Sequence, residues 1–267
     1  MSKVNTQTVH TTLIKGQEDI MEDTLKILFA TPECTPFAHS GGLGEVGGSL
    51  PGALCRLRPK EDVFRKIDCR VILPLYGSIK EEYRIKMEYL GYTYVALGWR
   101  SQYAGLFRLK MGQVVYYFID NEYYFKRDGL YGYYDDGERF AFFSKAVLDV
   151  LPLMEDFAPD IIHANDWQTA LIPVYQTALY HLEGLKTVFS VHNIEYQGYY
   201  GREMLDDVVG IPEDCAHLLE FNGGINYMKG GIECCNMFST VSPSYAEELK
   251  DPMNAFGMDR IVFRNSF

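Results

Sequence analysis

Three short stretches of this sequence set polar, chemistry-bearing residues directly after apolar runs. They are Glu33 with His39-Ser40-Gly41-Gly42-Leu43, then His163-Ala164-Asn165-Asp166-Trp167, then His192-Asn193. Carboxylate, imidazole and amide groups gathered at one edge are what a ligand with many hydroxyls, such as a sugar, requires, because each hydroxyl must find a partner. The glycines offer something else: backbone N–H groups at a helix start, able to hold an anion such as a phosphate. Taken singly, each residue has a plainer reading. Asp166 could cap the helix that follows it, either histidine could be a hydrogen-bonded core residue, and Glu33 could simply be solvated. Their joint arrival at the ends of separate apolar runs argues for one site.

The elements that must position these residues follow from periodicity. Leu25 to Ala30 is an apolar run short enough for a buried parallel strand, and Val46, Leu50, Leu54 and Leu57 recur at helical spacing after the glycines. Gly42-x-Gly44-x-x-Gly47 spells a dinucleotide fingerprint, but the whole Thr31 to Gly41 loop separates it from the strand end. The next strand, Cys69 to Leu73, runs into Pro74-Leu75-Tyr76 with no acidic residue, so NAD or FAD is not expected. Tyr92 to Leu97, Gly105 to Leu109 and Val114 to Ile119 read as a small antiparallel insertion, and Glu138 to Leu151 as a helix. Beyond Pro159 strands and helices alternate: strand Ile161 to His163, helix Trp167 to Tyr180, strand Thr187 to Val191, helix Asn226 to Cys235, strand Met237 to Val241. A helix from Pro243 to Leu249, capped by Ser242, closes the series. This order predicts an α/β fold, a Rossmann-like parallel sheet with helices on both faces and its ligand beyond the carboxyl ends of the strands. That edge comprises the segments after Ala30, Ile162, Val191 and Val241.

Composition narrows the function classes. The 267 residues, 47% of them hydrophobic, suffice for one large domain or two small ones, and a net charge of -11 without a basic cluster argues against a nucleic acid partner. No apolar run approaches the roughly 20 residues of a membrane span. The six cysteines lack C-x-x-C spacing and read as free thiols of a cytoplasmic protein. Residues 1–24 are polar, without the apolar centre of a signal peptide, and are expected to be a flexible extension ahead of a domain spanning 25–267.

Several ordered motifs then carry a family resemblance. Ile27 to Ala30 with Glu33 and Pro36-Phe37, followed by His39-Ser40-Gly41-Gly42-Leu43-Gly44-Glu45-Val46, resembles the opening of bacterial glycogen synthases and plant starch synthases. So do His163 to Ala170, Val191-His192-Asn193-Ile194 with Tyr196-Gln197-Gly198, and Ile225 to Ile232 running on to Thr240-Val241-Ser242-Pro243. The resemblance implies a GT-B glycosyltransferase, two Rossmann-like domains with the active site between them, of which this chain is the N-terminal, acceptor-side half. It further implies retaining, metal- and cofactor-free transfer of glucose from ADP-glucose to the nonreducing end of an α-1,4-glucan. In that family His39, Gly41 and Gly42 correspond to donor-phosphate positions, and the His192 backbone carbonyl lies beside the reacting sugar, where it stabilises positive charge. Asp166 corresponds to a group that hydrogen-bonds the glucose, and Glu33, Glu45, Tyr131 and Asn193 to the acceptor groove. Two residues depart from the pattern. His39 stands where lysine is usual, and a histidine is mostly neutral at pH 7, so donor binding is expected to be weaker or more pH-dependent. Glu45 stands where aspartate is usual. The C-terminal nucleotide-binding domain is absent from the chain, so these residues are expected to fold without synthesising glucan alone. The rival reading is a noncatalytic α-glucan-binding protein derived from the same fold.

Overall fold

The structure, a computed structural model, describes residues 24–58 and 66–266. The expected N-terminal extension therefore lies outside the described residues except for Thr24, which opens the first strand. In chain order the elements are β1 (Thr24–Ala30), α1 (Gly42–Arg56), β2 (Lys66–Pro74), α2 (Glu81–Arg84), β3 (Glu88–Leu97), β4 (Arg100–Met111) and β5 (Val114–Asp120). Then come α3 (Glu122–Phe125), α4 (Asp136–Asp149), β6 (Ile161–Asn165), α5 (Leu171–Tyr175), β7 (Lys186–Val191), β8 (Tyr199–Tyr200), β9 (Glu220–Phe221) and β10 (Gly224–Asn226). The last are α6 (Tyr227–Cys234), β11 (Met237–Thr240), α7 (Pro243–Glu248) and α8 (Asp259–Asn265).

Eight strands form one sheet in the order β11-β7-β6-β1-β2-β5-β4-β3, and β8, β10 and β9 form a small antiparallel sheet apart from it. The strands from β11 to β5 run parallel, and β4 and β3 join antiparallel at one edge. The expected three-strand insertion is thus two strands, because β5 pairs in parallel with β2 and belongs to the main sheet. The apolar runs of β1, β6 and β7 reflect burial on both faces: Leu28, Phe29, Ile162, Phe189 and Val191 are fully buried.

Strand order positions the site. From β1 the chain proceeds one way through β2, while β6, β7 and β11 build out the other way. Right-handed crossovers then put α1 on one face and α5 and α6 on the other, where they pack together and against α4. The loops after β1 and β6 therefore leave the sheet in opposite directions, opening a crevice at their carboxyl ends.

Several local features differ from simple periodicity. The segment expected as one helix from Trp167 to Tyr180 is a tight turn at Trp167–Thr169, then α5, then a widened turn at Gln176–Tyr180. Thr169 Oγ1 lies 2.8 Å from the Asn165 carbonyl and 3.2 Å from that of Asp166, which draws the first turn tight. Of the fingerprint-like glycines, Gly44 and Gly47 serve close packing, a Cβ there standing 2.4 Å from His39 Cβ and 2.6 Å from the Glu33 carbonyl, while Gly42 faces open space; the neighbouring Gly48 is as tight, 2.0 Å from Thr35 Oγ1. The apolar face read for α1 is displaced: Leu43, Gly44, Gly47 and Pro51 are buried, Val46, Leu50 and Leu54 are half-buried, and Leu57, just past the helix, is exposed. The Ser242 cap holds, its hydroxyl accepting from Tyr245 N at 3.1 Å. Among the described residues no helix is long and apolar enough to cross a membrane, and all six cysteines are free thiols.

Candidate active site

A cavity of about 900 Å³ opens at the carboxyl edge, lined by Glu33 and Ser40 to Leu43 after β1, Asp166 to Gln168 after β6, and His192, Asn193 and Tyr196 after β7. Val241 after β11 and Tyr131, Gly132 and Asp136 before α4 complete the wall. All four predicted strand ends contribute.

Asp166 holds the strand ends together. It does not cap the turn after it; its Oδ1 instead accepts from the backbone N–H of His192 at 2.7 Å and of Asn193 at 3.2 Å. To reach them its backbone adopts φ 58° and ψ 177°, a region almost confined to glycine, and such strain persists only where the surroundings over-determine it. Burial pushes its carboxyl up to about 7; the two N–H donors oppose that shift and the Glu33 charge adds to it. Oδ2 makes no hydrogen bond to protein among the described residues, leaving it to the cavity.

His192 is oriented from two sides. Asn165 Nδ2 donates to the carbonyls of Ala30 at 3.0 Å and His163 at 3.1 Å, which turns its Oδ1 toward His192 Nε2 at 3.0 Å. The proton therefore sits on Nε2 and Nδ1 is the free acceptor. Burial lowers the His192 imidazole to about 4, so it is neutral at physiological pH. The His192 carbonyl has no protein donor among the described residues, and the Asn193 N–H of the same peptide unit is held by Asp166. His163 has a different fate. Its Nε2 meets Ser190 Oγ at 2.7 Å and its ring packs edge-on against Phe29, so it is a core residue linking β6 to β7, also lowered to about 4 by burial.

The glycine loop is built around Glu33, a buried side chain. Its carboxylate accepts from Ser40 N, from Ser40 Oγ at 2.8 Å, from Gly41 N at 3.2 Å and from Tyr131 Oη at 2.8 Å. These four donors occupy the carboxylate and pin the loop. A Cβ at Gly41 or Gly42 would meet nothing within 4 Å; the N–H groups of Gly41 and Gly44 are bound, to Glu33 and to the Gly41 carbonyl, and those of Gly42 and Leu43 have no protein acceptor among the described residues. Tyr131 is carried by a loop that Asp136 fixes, its Oδ2 accepting from Gly132 N at 2.7 Å and Tyr133 N at 3.2 Å. The charge of Asp136 is matched by the fully buried Arg139.

Of the residues expected from sequence, Glu33, Gly41, Gly42, Tyr131, Asp166, His192 and Asn193 share this cavity. His39 and Glu45 are exposed and lie outside its wall. Sequence reasoning passed over Gln168, which lines the cavity at 7% exposure and whose Oε1 has no partner among the described residues. Its signal was its place in the same short motif as Asp166. Tyr196, Asp136 and Trp167 were likewise missed as wall residues. No cluster of three or more His, Cys, Asp and Glu side chains among the described residues is placed to hold a metal ion.

A family profile described as the starch synthase catalytic domain matches residues 26–263. The chain is 46% identical over 249 residues to a glycogen synthase of Clostridium acetobutylicum, covering 91% of this chain and 50% of that one. It is 46% identical over 236 residues to one of Exiguobacterium sibiricum, covering 85% and 47%. A solved structure, the catalytic domain of Starch Synthase IV from Arabidopsis thaliana bound to ADP and acarbose, superposes with TM-score 0.78 at 28% identity, covering 91% of this chain and 50% of that one. The chain spans about half the length of the curated relatives it matches.

Proposed function

The chain belongs to the starch synthase catalytic-domain family, and from that premise we propose that it is the acceptor-side half of a two-domain GT-B enzyme that transfers glucose. The donor is ADP-glucose, the acceptor the nonreducing end of an α-1,4-glucan, and configuration at the anomeric carbon is retained. The observation that carries this reading is the single cavity in which Asp166, His192 and the glycine loop meet at the strand edge. The ADP and acarbose held by the Arabidopsis relative support a nucleotide and a sugar chain as ligands.

In this reading Gly41, Gly42 and the N-terminus of α1 face the donor diphosphate, with Glu33 fixing the loop that presents them. Asp166 Oδ2 accepts a hydroxyl of the glucose, and the His192 carbonyl, its peptide unit fixed by the Asn193 N–H bond to Asp166, stabilises developing positive charge at the anomeric carbon. Tyr131, Asn193 and Gln168 face the acceptor. His39 is an outer neighbour of the phosphates, and Glu45 a charge on the first turn of α1 beyond the cavity wall. The second half supplies the remaining nucleotide contacts, and the assembled enzyme is cytoplasmic.

The test is incorporation of labelled glucose from ADP-glucose into glycogen, by the 267-residue chain alone and by the chain fused to the second half of the Clostridium acetobutylicum relative. Turnover is expected only in the fusion, and His39→Lys should raise it. A folded fusion that binds glycogen without turnover, with histidine or lysine at 39, would instead establish the noncatalytic glucan binder.

A further inference from the structure

His192 is held twice, by two residues that are neighbours in the chain. Asn165, the last residue of β6, reaches the imidazole, its Oδ1 accepting from Nε2 at 3.0 Å; Asp166 reaches the backbone, its Oδ1 accepting from the His192 N–H at 2.7 Å. Successive side chains of an extended strand point to opposite faces, so neighbours do not ordinarily meet one target. The left-handed backbone of Asp166, φ 58°, breaks that alternation and lets both side chains converge. Its strain thus serves a two-point hold on one histidine.

Asn165 has no freedom to act otherwise. It is 1% exposed and stands behind the cavity wall, not in it. Thr169 Oγ1 accepts from its N–H at 2.6 Å and lies 2.8 Å from its carbonyl, which fixes its backbone. Both amide hydrogens are taken by the carbonyls of Ala30 and His163, and turning the amide over would set oxygen against oxygen at each. Its Oδ1 therefore has a single partner, which must donate. A carboxylate in this place would favour a doubly protonated imidazolium, and an alkyl side chain would leave the proton free to sit on either nitrogen. The neutral amide allows one outcome: an uncharged ring with its proton on Nε2 and a lone pair on Nδ1, which has no protein partner among the described residues.

We propose that Asn165 is a positioning residue for the transfer: by holding His192 Nε2–H it presents the Nδ1 lone pair to the ligand, so that this part of the cavity takes a hydroxyl and turns away a group that can only accept. With Asp166 Oδ2, the two held residues then meet the ligand as a pair of acceptors. The inference rests on the proposed reading, in which the transferred glucose lies against His192.

The first test is the tautomer itself, read from two-bond nitrogen–hydrogen couplings in NMR of the 267-residue chain, with the His192 signals assigned by their loss in His192→Gln. Wild type should show the Nε2–H form alone. Asn165→Leu should lose that preference, and Asn165→Asp, which keeps an acceptor, should retain the proton on Nε2. A wild-type ring protonated on Nδ1 overturns the inference with no variant needed, and so does an unchanged tautomer in folded Asn165→Leu. The second test uses the fusion with the Clostridium acetobutylicum half and ADP-glucose analogues lacking one hydroxyl at a time. One analogue should lose about tenfold in kcat/KM with wild type, the worth of one hydrogen bond, and only about twofold with Asn165→Leu. This ratio is taken within one protein, so a variant that merely lowers the folded fraction does not move it. Equal losses in both proteins for every analogue overturn the inference while turnover of ADP-glucose leaves the proposed function standing; a folded fusion without turnover ends both.

Discussion

The rim of the cavity and the tyrosine-lined face of the β3–β4 ribbon present opposite solutions to exposure. At the rim, Glu33, Asn165 and Asp166 are buried polar groups whose hydrogen bonds run to one another's loops, so each contact removed leaves a partner stranded. On the ribbon, Tyr89, Tyr92, Tyr94 and Tyr103 hold their places by overlapping ring contacts, none of which strands a buried donor when lost. Directional networks give a single geometry at the cost of tolerance; ring packing gives the reverse. Damage should therefore be severe and pH-dependent at the rim, and mild and indifferent to pH on the ribbon.

The strongest test of that contrast is Asp166→Ala. It strands the N–H groups of His192 and Asn193 while keeping the strained backbone, and should cost about 3 kcal/mol in urea unfolding. In the fused enzyme it should lower turnover on the order of 100-fold or more. Asp166→Asn keeps an acceptor oxygen and should lose far less stability; equal losses in both variants would remove the distinction between the two regions.

The next effect is in pH. His163 and His192 have folded values depressed from 6.5 to about 4, so their stabilisation is full above 6.5 and lost as pH falls toward 4. Asp166, raised from 3.8 to about 7, behaves oppositely: its contribution is full below 3.8 and lost as pH rises through 7. Between these limits the unfolded chain carries two protons on the histidines and none on the aspartate, and the native chain one on the aspartate alone. From these groups stability therefore rises with pH by one proton's worth, about 1.4 kcal/mol per unit. Asp166→Asn should steepen the rise toward two protons, and Tyr94→Thr should leave it unchanged. Parallel pH profiles for wild type and Asp166→Asn would contradict the assignment.

Smaller effects follow. Gly47→Ala forces a methyl against the Glu33 carbonyl and should cost about 2 kcal/mol by thermal unfolding. Tyr131→Phe removes one donor to Glu33 and should cost about 1 kcal/mol. Tyr94→Thr should stay near 0.5 kcal/mol, typical of an exposed cross-strand pair.

The sheet was legible in the sequence because burial on both faces writes continuous apolar runs, and the carboxyl-edge rule then gathered Glu33, Asp166 and His192. What stayed hidden depends on contacts between distant residues. His163 and His192 look alike as letters, yet one falls inside β6 and faces Phe29 while the other sits just past the end of β7. Asp166 had the local signature of a cap, and only its hydrogen bonds to residues 26 and 27 positions away decide otherwise. The unpartnered Gln168 oxygen likewise has no counterpart in spacing. The tight first turn of the Trp167 to Tyr180 segment comes with Thr169 bonded to two preceding carbonyls, a contact that hydrophobic periodicity does not record.

Gly47 and Gly48 bring α1 so near the Glu33–Thr35 segment that helix and loop have no space to slide past each other. The first turns of α1 are thus a fixed wall of the cavity, seated on the loop beneath them. Mutations that loosen this seat should therefore blur the wall that Ser40 to Leu43 give the cavity without altering the groups that line it elsewhere.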